Sequence, residues 1–194
     1  METWFKANKE WADQKLKDYP NYFEQLESGQ SPKHLWIGCS DSRVDPATIF
    51  QADLGDFFVH RNIANQIYPD DDNIQSVIQY AVDALKVPNI VVCGHYSCGG
   101  VKAAVHAEAD GVIANWISPI QELYNRKKEE LEQITDDKGR LDRVSELNVI
   151  EQIGALTRNS TIENAWQRKQ SLTIHGWGFD LSTGYIKQVT EPIS

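Results

Sequence analysis

Between residue 3 and about residue 28, apolar side chains recur at helical spacing: Trp4, Phe5, Trp11, Ala12, Leu16 and Tyr19, with polar residues between them. Pro20 fits the start of a second short helix carrying Phe23 and Leu26, and Ser28 to Pro32 breaks the pattern. The period then changes. His34 to Cys39 is a short, nearly continuous apolar run, the mark of a buried strand, and Asp45-Pro46 supplies an N-cap and a first helical residue just after it. Asp56 to Asn62 predicts a second strand, and Pro88 to Gly94, β-branched and continuous, a third. Between them, Ile74, Val77, Ile78, Ala81, Val82 and Leu85 form one apolar stripe on a helix over 72–86.

Further on, the pattern predicts helices from Val101 to Ala109, from Trp116 to about Ile134, from Asp142 to Arg158 and from Thr161 to Lys169, with Asp136 to Gly139 as a loop. Leu172 to Phe179 reads as a strand, and Ser182-Thr-Gly184 turns the chain into a last strand, Tyr185 to Val189. Strands alternating with helices predict an α/β fold: a mainly parallel β-sheet with an antiparallel edge strand, flanked by helices and preceded by an N-terminal helical arm. No linker or repeat interrupts it, so residues 1–194 are expected to form one domain, with 1–30 as the arm and 34–194 as the α/β core. The arm's two tryptophans need a surface to cover, either this chain's own core or a second subunit.

Charge narrows the function. A formal net charge of −9 argues against a nucleic-acid surface, which needs excess Lys and Arg. No apolar run approaches the roughly 20 residues that span a bilayer. The first residues lack the basic start and apolar core of a signal peptide, so a cytoplasmic protein is expected. The three cysteines, Cys39, Cys93 and Cys98, are an odd number, which argues against a disulfide framework and leaves thiols available as ligands or nucleophiles.

The chemistry concentrates where two predicted strands end. Cys39, Asp41 and Arg43 are spaced by two and emerge together after the first strand; His95 and Cys98 follow the third. One imidazole and two thiolates make a Cys2His set with an open position, the pattern of catalytic zinc, and these donors favour zinc over magnesium or calcium. Gly99 and Gly100 let backbone N–H groups approach a substrate oxygen at a helix start. Cys93, inside a strand, reads as a small core residue, and His34, His60, His106 and His175 lack ligand spacing to the set.

The combination Cys39-Ser-Asp41-Ser-Arg43 with His95-Tyr-Ser-Cys98-Gly99-Gly100 resembles the β-class carbonic anhydrases, in particular the bacterial type. Phe58 to Asn65, Glu146 to Gln152 and His175-Gly-Trp177 are similar to the same family in the same order. The resemblance implies reversible hydration of carbon dioxide to bicarbonate and a proton by zinc-bound hydroxide, with zinc held by Cys39, His95 and Cys98. It implies that Asp41 either orients the hydroxide or closes the site as a fourth ligand, with Arg43 deciding between the two. It also implies a homodimer or homotetramer whose N-terminal helices cross onto the partner. Two thiolates would cancel most of the zinc charge, so activity is expected to rise into the alkaline range. Some bacterial members carry a second, regulatory bicarbonate site; Trp36, Arg61 and Val44 are its candidates here, and Phe179 stands where those members have Tyr, removing a hydroxyl donor. Rival readings are hydrolysis of carbon disulfide or carbonyl sulfide on the same scaffold and a catalytically silent bicarbonate-sensing or structural zinc protein. Thiol redox chemistry fits poorly without a C-x-x-C pair.

Overall fold

A computed structural model describes residues 1–194 and divides the chain into two compact units, Met1–Ser31 and Pro32–Ser194. The first unit is helical: α1 (Glu2–Asp18) and α2 (Tyr22–Glu27). Pro20 lies one residue before the α2 N-cap, Asn21, rather than inside the helix. No residue of α1 is buried; Trp4 and Phe5 stand 76% and 72% exposed.

The second unit holds β1 (His34–Cys39), α3 (Pro46–Phe50), β2 (Phe57–Asn62), a 3-10 turn (Ile63–Asn65), α4 (Asp72–Gln79) with a π turn behind it, β3 (Asn89–His95) and α5 (Gly99–His106). These are followed by α6 (Gly111–Arg126), α7 (Lys128–Leu131), α8 (Asp137–Thr157), α9 (Ser160–Gln167), β4 (Thr173–Asp180) and β5 (Tyr185–Gln188). The strands form one five-stranded sheet in the order β2-β1-β3-β4-β5. Its first four members are parallel, and β5 pairs antiparallel with β4 at the edge. This is the α/β architecture that the strand–helix alternation predicts.

Burial follows the pleat. Leu35, Ile37, Ile90 and Val92 face a core built with Ile74, Ile78, Val149, Ile153 and Ile162 from the helices. Trp36, Val91 and Cys93 point to the opposite face, against Val44 and Phe179. β1 and β3 are therefore covered on both sides, which is why their sequences are continuous rather than alternating.

Three boundaries differ from the sequence expectation. Asp136 to Gly139 is not a loop: Asp136 caps α8, accepting from the Gly139 N–H at 2.6 Å, and Lys138–Asp142 and Arg140–Asp137 pairs run along the first turns. α6 begins at Gly111 and carries Pro119 in its interior. Pro119 lacks the N–H that would reach the Asn115 carbonyl, and Ser118 Oγ donates there instead at 2.9 Å. α5 stops at His106, where Ala107 turns left-handed.

Candidate metal centre

β1 and β3 are adjacent and parallel, so their carboxyl ends open on the same side of the sheet. Cys39 is the last residue of β1, His95 the last of β3, and Cys98 the N-cap of α5. Their ligand atoms all lie within 4.8 Å of one another, and the three side chains are buried. His34, His60, His106 and His175 lie elsewhere: His34 against Phe57, His60 beside Asn62, His106 with Asp137 and His175 with Asn89.

The histidine is prepared for a metal. Its Nδ1 sits 3.0 Å from the Tyr96 carbonyl, which can only accept, so the proton is on Nδ1 and Nε2 carries the lone pair. That Nε2 is buried and has no hydrogen-bond partner. An imidazole lone pair buried without a donor, facing two sulfur atoms, is costly unless something electrophilic occupies the position. The donor set fits zinc: soft thiolates with one imidazole, and only three protein ligands.

The sulfurs are also arranged as an ion site. A hydrogen bond from Cys98 holds the Cys39 thiol pKa well below its ordinary value, and the Asp41 and Ala64 backbone N–H groups add to this. Cys39 in turn pushes Cys98 up, while the Gly100 and Val101 N–H groups at the α5 start act the other way. Cys93 is different: burial alone raises its thiol pKa, and it packs against Trp36 as a core residue.

Asp41 stands at the mouth of the cluster. Arg43 grips it through Nε to Oδ1 at 2.9 Å and Nη2 to Oδ2 at 2.7 Å, and the Arg43 backbone N–H adds a bond to Oδ1. These guanidinium hydrogen bonds hold the Asp41 carboxyl well below the usual carboxylate range. Oδ2 lies 3.8 Å from His95 Nε2.

The glycines divide. A Cβ on Gly100 would lie 2.8 Å from Ile63 Cγ2 and 3.3 Å from Ala64 Cβ, so glycine is needed for α5 to seat on the turn after β2; Gly99 has nothing within 4 Å of such an atom.

The family model described as carbonic anhydrase matches residues 34–186. This chain belongs to the β-class carbonic anhydrases. A carbonic anhydrase of Emericella nidulans is 42% identical over 185 residues, covering 95% of this chain and 81% of that protein. One of Pseudomonas aeruginosa is 32% identical over 170 residues, covering 84% and 76%. The resemblance is thus not confined to the bacterial type. Among solved structures, a tetrameric β-carbonic anhydrase of Sordaria macrospora superposes with a TM-score of 0.92 at 41% identity, covering 100% of this chain and 98% of that one. The Coccomyxa β-carbonic anhydrase in complex with acetazolamide gives 0.93 at 36% identity, covering 98% and 86%.

Within this carbonic anhydrase, Trp36, Val44 and Phe179 pack together beneath the sheet, and the buried Trp36 indole N–H has no partner. Arg61, on β2, donates from Nε to the Cys39 carbonyl at 2.9 Å and from Nη2 to the Asp41 carbonyl, stapling the loop that carries the ligand and the carboxylate. Two features escaped sequence reasoning. Tyr96 is buried and its hydroxyl donates to Glu146 Oε1 at 2.8 Å, anchoring the residue whose carbonyl orients His95. Gln66, Asn148 and Gln152 form a buried carboxamide cluster behind Cys39. Asn148 and Gln152, four apart within the family-like stretch Glu146 to Gln152, were the available signal.

Proposed function

We propose that this chain catalyses the reversible hydration of carbon dioxide to bicarbonate and a proton, with a zinc ion held by Cys39, His95 and Cys98. The observation that carries the reading is the His95 Nε2 lone pair, buried without a partner beside two cysteine sulfurs. Zinc, when bound there, supplies the Lewis acidity that makes water a nucleophile at moderate pH.

The chain supplies orientation. Asp41, kept ionised by Arg43, accepts a hydrogen bond from the attacking water and directs its oxygen lone pair at the carbon. As the C–O bond forms, one π pair of carbon dioxide moves onto its oxygen, and the water's proton leaves to solvent. Release of Asp41 from Arg43 would let the carboxylate turn toward the ligand cluster and shut it; the dyad is the gate. At the α5 start Gly99 leaves room for a substrate oxygen, while Gly100 lets the helix seat against Ile63 and Ala64. Of Trp36, Arg61 and Val44, the candidates for a second bicarbonate site, Arg61 already donates from Nε and Nη2 to the Cys39 and Asp41 carbonyls, and Phe179 offers no hydroxyl, so inhibition by bicarbonate is expected to be weak or absent.

The small-molecule partners are carbon dioxide, bicarbonate and water. A homodimer or homotetramer in the cytoplasm, with residues 1–194 acting as one domain, completes the reading; the tetrameric relative and the bare apolar surface of α1 support self-association. No helix is long and apolar enough to cross a membrane. Stopped-flow carbon dioxide hydration across pH, with and without bicarbonate, on protein of measured zinc content tests it. Zinc bound without hydration at any pH overturns it.

A further inference from the structure

We propose that Gln66, Asn148 and Gln152 are positioning residues of the metal centre: they hold Ala64 in a left-handed bend so that its backbone N–H donates to the Cys39 sulfur. The inference rests on Cys39 being a metal ligand.

Ala64 has φ 60° and ψ 31°, a conformation that costs a residue with a Cβ about 1 kcal/mol or more. It persists because both of the residue's backbone polar groups are held. On one side, the Ala64 N–H points at Cys39 Sγ, 3.4 Å away. On the other, the Ala64 carbonyl accepts from Gln66 Nε2 at 2.7 Å and from Asn148 Nδ2 at 3.0 Å. Asn148 Oδ1 in turn accepts from Gln66 Nε2 at 2.8 Å and Gln152 Nε2 at 3.1 Å. Gln152 Oε1 takes the Ile67 N–H at 2.7 Å, pinning the chain just beyond the bend. The bend is thus tied to one face of α8, where Asn148 and Gln152 lie a turn apart.

Apolar side chains would fill this space at less desolvation cost, since every carboxamide buried here must be matched. Ala64, Gln66, Asn148 and Gln152 are between 0% and 6% exposed, so water contributes little. What the donors converge on is the carbonyl of the residue whose N–H faces the sulfur. An N–H on a thiolate withdraws charge from it and weakens its donation, leaving the bound metal a stronger Lewis acid. In a site with two thiolates, that correction works against the loss of metal charge.

Cobalt(II) in place of zinc in the full-length protein reads the sulfur directly, through its thiolate-to-metal charge-transfer band. Asn148→Ala and the near-isosteric Gln66→Met should both move this band to longer wavelength, because the freed thiolate becomes a better donor. Val82→Ala, in the core away from the site, should lower the melting temperature and leave the band in place. If Asn148→Ala does not fold, Gln66→Met decides. Variants that bind cobalt with an unmoved band reduce the carboxamides to packing and overturn the inference. A parent protein with no thiolate band overturns the metal reading itself, and the inference falls with it.

Discussion

Arg43 closes a two-bonded clamp on Asp41, Nη2 to Oδ2 at 2.7 Å and Nε to Oδ1 at 2.9 Å, and turns that carboxylate's edge toward His95. Breaking the clamp from either side should cost turnover and spare the metal. Asp41→Ala is expected to lower kcat/KM by about 10²–10⁴-fold, the range a positioned acid–base group contributes. Arg43→Ala should fall in the same range, because the released carboxylate is free to turn toward the ligand cluster and shut it. Stopped-flow rates beside zinc analysis check both; full activity in Asp41→Ala would remove its role.

The same clamp sets a pH dependence. Arg43's hydrogen bonds depress the folded-state pKa of Asp41. A depressed carboxyl contributes stability that is present above its unfolded pKa, about 3.9, and is lost as pH falls through the lower folded value. The stability difference between the parent and Asp41→Asn should therefore be constant near neutrality and shrink below about pH 4. Arg43 is exposed, so the contribution is that of a screened surface pair and should weaken with salt. Thermal melts across pH test this. Activity lost between alkaline and neutral pH then has a source other than protonation of Asp41.

Cys93 and Cys39 should separate cleanly. Cys93→Ser places a hydroxyl among Trp36, Val91 and Phe179 and is expected to cost about 1–3 kcal/mol with zinc content unchanged. Cys39→Ser removes a ligand and should abolish stoichiometric zinc. Denaturant melts with metal analysis distinguish the two.

Metal removal should destabilise the fold around β1, β3 and α5, since three buried ligands would lose their common partner. At zinc concentrations about 1,000 times Kd, the bound state gains about 4 kcal/mol over the apoprotein. Calorimetry with and without chelator measures it, and an unchanged melting temperature would argue against zinc at this position.

Trp4 and Phe5 stand in solvent on α1, unusual for large apolar side chains so close together. A Trp4→Ser, Phe5→Ser double variant should lower the oligomer mass in sedimentation equilibrium. The same mass in variant and parent would separate the arm from assembly.

The period of the apolar residues was enough to determine the sheet-and-helix order of this carbonic anhydrase, because buried parallel strands leave continuous runs such as Ile90 to Cys93 and amphipathic helices leave stripes. The spacing of Cys39, Asp41 and Arg43, and of His95 and Cys98, marked two half-sites, each gathered by local geometry at a strand end; that the two halves meet depends on β1 lying beside β3. Tertiary structure decided the rest. Whether Arg61 meets an anion or a backbone carbonyl depends on β2 lying beside β1, and the structure puts its guanidinium on the Cys39 and Asp41 carbonyls. Pairing Gln66 with Asn148 crosses 82 residues, and no local pattern states which carboxamide will find which carbonyl. Sequence periodicity reports which face of an element is buried; only the packing of distant elements reports what that face touches.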